Sequence, residues 1–168
     1  MHETPADIDA LQAVLDASYA RANEHLLRIH DPERRLDAAG VAERLQGMVL
    51  LTLATVTRDG RQITGPVDGF FYRGAFHFGS SPESVRFGHI RARPQVSATH
   101  LPGEQLAVTV HGRAELVDMG APEHAELRRT ILGIYVPRYG AEWETDILDA
   151  GASYARIDPE RMFAFHMP

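Results

Sequence analysis

The chain contains no cysteine. Disulfides, thiolate–zinc sites and cysteine nucleophiles are thereby excluded. It also contains no lysine: all 17 basic residues are arginine, set against 23 acids for a formal net charge of −6. An acidic chain without a basic tail is not built for general nucleic-acid binding. Long apolar runs are missing too. The most apolar stretch, Met48 to Val56, is interrupted by Thr52 and Thr55, and it is far short of the ~20 residues needed to cross a bilayer. The opening residues, Met1 to Asp7, lack the basic start and apolar middle of a secretion signal. The expectation is a soluble, cytoplasmic protein with neither a membrane nor a nucleic acid as partner.

What is present is an ordinary globular balance: 168 residues, 44% hydrophobic and 24% charged. That is enough for one domain and too apolar for disorder. Charge is unevenly spread. Residues 1–46 carry 5 Arg against 9 acids, residues 47–117 carry 7 against 5, and residues 118–168 carry 5 against 9. Only the middle third offers a positive field to an anionic ligand.

The hydrophobic spacing predicts helices first. Thr4 caps a helix with Pro5 in its first turn, and Ile8, Leu11, Leu15, Ala22, Leu26 and Ile29 recur along one face until Asp31-Pro32 ends it. A shorter helix follows over 37–46, with Val41, Ala42 and Leu45 as its stripe. From Gly47 the pattern changes to strands: 48–57, 62–72 after the Asp59-Gly60 turn, and 75–79 after Arg73-Gly74. A helix opens from Ser80-Ser81-Pro82-Glu83-Ser84 and runs to about Arg91, with Ser80 or Ser81 available as its cap. Strands over 95–101 and 105–117 flank a Pro102-Gly103-Glu104 turn. A helix over 122–136 is stopped by Pro137, residues 139–150 are ambiguous, and two short strands close the chain at 153–157 and 162–166. The sum is α+β, mainly β: an antiparallel barrel over 47–168 with peripheral helices, preceded by a helical extension over 1–46.

The segment most suited to chemistry is Phe78 to Arg86. A strand ends in Gly79, Ser80 and Ser81, and a helix then begins with free backbone N–H groups, the Ser84 hydroxyl and the forked cation of Arg86. Such a place can hold a phosphate, and it can equally be a capped helix with a solvated arginine. Gly65 and Pro66 on the second long strand suit close approach to a planar ring, or a simple bulge.

Several stretches taken together carry a resemblance. They are Leu53-Ala54-Thr55-Val56, Asp59-Gly60, Thr64-Gly65-Pro66-Val67, Phe76-His77-Phe78, Ser84-Val85-Arg86, Arg93-Pro94-Gln95-Val96, Val110 to Val117 and Tyr154 to Phe165. In order and spacing the chain resembles the pyridoxamine 5'-phosphate oxidase-like, flavin-binding split-barrel superfamily over roughly residues 44–168. The resemblance implies a six-stranded antiparallel split β-barrel and a homodimer with cofactor sites at its interface. It implies FMN or a deazaflavin analogue, oxidoreductase chemistry on a small molecule, and haem as a less favoured cofactor. It also implies a phosphate held by Ser80, Ser84 and Arg86, together with Gly79, Ser81 and Val85, and a ring lined by Thr64, Gly65, Pro66 and Val67. True pyridoxamine phosphate oxidases carry an Arg and a Lys where this chain has Gly65 and Phe70, so vitamin B6 oxidation itself is not expected. Where reductase relatives often carry an Asn after the phosphate-binding cation, this chain has His89. The alternatives to an enzyme are a flavin-binding or sensing protein without turnover, and a haem-binding split barrel.

Two features remain. Nine histidines are present, but none has metal-site spacing and no metal site is expected. Tyr135, Tyr139 and Trp143 cluster after the last long helix; they would fill a core or cover a flavin face, with core filling preferred. No side chain stands out as a catalytic acid or base.

Overall fold

The barrel follows from alternation. In strand β1 (Met48–Val56) Val49, Leu51, Leu53 and Thr55 are buried, and the residues between them face outward. The computed structural model describes residues 1–167. In it β1 is followed by β2 (Gln62–Tyr72), β3 (Ala75–Ser80), β4 (Gln95–Gly103), β5 (Leu106–Val117) and β6 (Ser153–His166). All pairings are antiparallel, and the sheet closes in the order β1-β2-β3-β6-β5-β4, with β4 returning to β1 through Thr52 opposite Thr99. Closure removes the free sheet edges that an open sheet would leave.

The two closing strands expected from the sequence are one strand. His111 pairs with Arg161 and Gly112 with Pro159, so Glu160 is an extra residue at a bulge. Gly112 is required there: a Cβ would sit 2.0 Å from the Asp158 carbonyl oxygen. The bulge lets β6 run past Pro159, which the sequence pattern alone makes look like a break.

The helices differ from expectation at three ends. The first helix is two: α1 (Pro5–Ala20) and α2 (Glu24–Ile29), because the Asn23 side chain accepts from Leu26 N and caps a new start. Ile29 is consequently 50% exposed and belongs to no core stripe. After α3 (Ala38–Arg44), which is capped by Asp37, comes α4 (Val85–Ala92), whose cap is Ser84 and not Ser80 or Ser81. The last helix, α5 (Ala125–Tyr139), runs through Pro137 to Gly140. Pro137 removes one backbone donor and crowds the Gly133 carbonyl four residues earlier, and the helix ends within one turn of it, capped at Gly140.

Two apolar clusters result. The barrel interior joins Leu11 and Leu15 of α1, Val41 of α3 and Phe87 and Ile90 of α4 to inward strand residues such as Phe76, Phe78 and Met162. α1 is also stitched to β6: Met162 N donates to Ser18 Oγ at 2.9 Å, and the Tyr19 hydroxyl donates to the Ala164 carbonyl at 2.9 Å. The second cluster lies outside the barrel. There Leu127, Ile131 and Tyr135 of α5 pack with Trp143, Leu148, Phe70, Tyr72 and Tyr154. Among the described residues no helix is long and apolar enough to cross a membrane.

Candidate functional site

Arg86, one residue into α4, stands between two hollows. The larger, about 610 Å³, is walled by Pro66, Val67 and Asp68 of β2, Gly79 and Ser80 of β3, Ser81, Pro82 and Arg86, and is faced by Tyr139, Trp143, Asp146, Ile147 and Tyr154. The smaller, about 150 Å³, is lined by Leu53, Thr55, Ile63, Thr64, Gly65, Val85, Arg86 and His89. Arg86 Nη2 donates to the Pro66 carbonyl at 2.8 Å, which fixes the guanidinium across β2. Gly65 lies beside it: a Cβ there would sit 3.4 Å from Nη2, an ordinary contact.

The residues singled out from the sequence therefore gather around one arginine, in two groups. Pro66, Val67, Gly79, Ser80 and Ser81 line the large cleft; Thr64, Gly65 and Val85 line the small cavity; Arg86 lines both. Ser84 lines neither, and its hydroxyl accepts from Phe87 N at 3.3 Å as the α4 cap. The far wall was illegible in the sequence. Asp146 and Ile147 have no distinguishing pattern, Tyr154 stands out only at the start of the closing strand, and Tyr139 and Trp143 read preferentially as core. Both readings of the aromatics hold in part: Trp143 stacks on buried Tyr135 at 4.7 Å and also faces the cleft, while Tyr139 is 53% exposed. The signal available was the lone tryptophan beside a segment without clear periodicity.

Asp146 and Ile147 of that far wall belong to a single π-helical turn, Glu144–Leu148, which follows Trp143. Arg128 of α5 brackets the turn, donating from Nη2 to Glu144 Oε1 at 2.6 Å and to Asp149 Oδ1 at 2.7 Å. The Tyr154 ring crosses β3 at Gly79, and it can do so only because position 79 lacks a side chain: a Cβ would be 2.5 Å from Tyr154 Cε1.

The two hollows differ in charge. The small cavity is lined by Arg86 and His89 and by no carboxylate, and His89 Nδ1 lies 2.9 Å from Thr55 Oγ1. The large cleft sets Asp68 and Asp146 against Arg86 alone. Burial draws the Arg86 pKa down, and the Asp68 charge partly restores it. Burial first, and Asp68 second, push the Tyr154 and Tyr135 hydroxyls above their ordinary range. Both tyrosines are neutral hydrogen-bonding groups at physiological pH, not bases.

A six-stranded antiparallel barrel with a cleft between the outer strand face and a helical cover is a split-barrel fold. The solved structures it is similar to share that architecture. The conserved hypothetical protein Rv2991 from Mycobacterium tuberculosis is 21% identical, with 80% of this chain and 88% of that one covered at a TM-score of 0.65. An FAD-binding protein from Mesorhizobium loti is 23% identical, with 80% and 98% covered at 0.60. The haem storage protein HutZ from Vibrio cholerae is 19% identical, with 78% and 95% covered at 0.58. No protein-family model and no curated protein matches the chain. The resemblance read from the sequence thus holds at the level of the fold.

Proposed function

We propose that this protein is a cytoplasmic, homodimeric flavin-binding oxidoreductase that takes FMN, or a deazaflavin analogue, and acts on a small molecule. The observation that carries the reading is Arg86, held across β2 at the boundary between a carboxylate-free cavity and a large aromatic-walled cleft. The donor set suits a phosphate on the small-cavity side, where Thr64 and His89 stand in place of the expected Ser80 and Ser84: a fixed guanidinium, the Thr64 hydroxyl, His89 and the free N–H groups at the head of α4. The large cleft suits a planar ring, with the backbone of Pro66 and Val67 along one edge and Trp143 and Tyr154 as apolar walls that exclude water. When bound there the cofactor supplies the electron or hydride transfer. The chain's own residues bind, orient and desolvate it. Haem ligated by histidine is the less supported reading, since no imidazole lines the large cleft.

A second copy belongs on the outer face of β1 and β4. Leu50 and Leu101 are 63% and 61% exposed there. Leu50, Thr52 and Ala54 pair with Asp68, Pro66 and Thr64, so a chain seated on this face borders both hollows. An isologous contact made by this strip completes the site twice.

Titration of the purified protein with FMN and with riboflavin, alongside light scattering, tests both parts. Arg86→Ala removes a charge-assisted hydrogen bond of about 1.5–3 kcal/mol, which weakens FMN roughly 10- to 150-fold and leaves riboflavin nearly unchanged. Equal losses for both ligands, or no loss for FMN, overturn the phosphate assignment. A stable monomer at micromolar concentration overturns the dimer.

A further inference from the structure

The large cleft has a chemistry that a flavin nucleotide does not use. Its lining holds two carboxylates, Asp68 and Asp146, against the single cation Arg86, whose Nη2 also donates to the Pro66 carbonyl at 2.8 Å. Among the described residues neither carboxylate forms an ion pair. Asp146 Oδ1 accepts a long 3.4 Å contact from the Thr145 hydroxyl next to it. Arg138 lies over the Tyr139 ring at 5.7 Å and is not part of the lining. Trp143, Tyr139 and Tyr154 line the same cleft, and Trp143 is held in place by its stack on Tyr135.

Aromatic rings attract cations through their quadrupoles, and carboxylates that outnumber the cations beside them add charge attraction in a partly dry site. We infer that this cleft selects a planar aromatic cation, such as an N-alkylated or protonated nitrogen heterocycle, seated against Asp68 and Asp146. Describing that molecule as the substrate rests on the flavin reading above; the preference for positive charge does not. An anionic ring meets two carboxylates with one tethered arginine, and a neutral ring gains the stacking without the charge.

The test uses the full chain without added cofactor and three ligands that share one ring: N-methylquinolinium, quinoline and quinoline-4-carboxylate, titrated by calorimetry at pH 8. The cation binds roughly tenfold more tightly than quinoline, a difference of about 1.4 kcal/mol, and the carboxylate binds most weakly. Asp68→Asn and Asp146→Asn each lower the affinity for N-methylquinolinium severalfold and leave quinoline unchanged. Equal affinity for all three, tightest binding of the carboxylate, no binding of the cation at millimolar concentration, or equal losses for cation and quinoline in both variants overturns the inference. FMN is absent from the experiment, so its outcome and that of the FMN titration fail separately.

Discussion

Acid should destabilise this protein through one histidine in particular. His77 sits in β3, is 3% exposed, and stacks on Phe70 with ring centroids 5.2 Å apart and planes at 16°. Burial pulls its pKa down to about 3; a 3.2 Å contact from Nδ1 to the Ala75 carbonyl opposes the shift, while the charges of Arg156 and His124 add to it. In the unfolded chain a histidine titrates near 6.5. Between those two values the unfolded state binds a proton that the native state refuses. Stability is therefore fully present above pH 6.5 and is lost as pH falls toward 3, by about 1.4 kcal/mol per unit at full slope. From pH 7.5 to pH 5 the loss from this group is about 2 kcal/mol. The lowered pKa values of His30 and His111 act in the same direction. His77→Phe keeps the ring stack and removes the proton site. Urea denaturation at pH 7.5 and 5.0 should show the wild type losing about 2 kcal/mol more than the variant across that interval. Parallel losses in the two proteins would refute the argument, because they would mean that His77 is solvated enough to be protonated in place.

Two further outcomes follow from the cleft walls. Arg128→Met unlatches the π-helical turn; because the Arg128 side chain is 27% exposed, each lost ion pair is worth at most about 1 kcal/mol globally. Amide exchange over residues 144–149 should nonetheless quicken selectively, and uniform or unchanged exchange would show that the turn holds without the latch. Gly79→Ala places a methyl group against the Tyr154 ring, a crowding that costs about 1–3 kcal/mol in chemical denaturation. An unchanged urea midpoint would mean that the ring moves aside freely.

The sequence by itself determined the strands and one side of the site. Alternation in β1, short apolar runs in β2 and β3, and the Asp59-Gly60 and Arg73-Gly74 turns fix these strands locally, because a strand's apolar pattern and a tight turn's positive φ are short-range properties. The gathering of Thr64–Val67, Gly79–Ser81 and Arg86 was legible for the same reason: β2 pairs with β3 through one tight turn, and α4 follows β3 after four residues. Tertiary structure decided the rest. The continuity of β6 through Pro159 depends on a bulge opposite Gly112, and α5 runs past Pro137 to Tyr139 although a proline there reads locally as a stop. The far wall needs a π-helical turn with little periodicity of its own, latched by an arginine 16 residues before Glu144 and 21 before Asp149. Asp68 and Asp146 are 78 positions apart and share a cleft only because α5 folds back over the barrel. Contacts of that separation leave no mark in local hydrophobic spacing, since the free energy that selects them comes from packing one finished element on another.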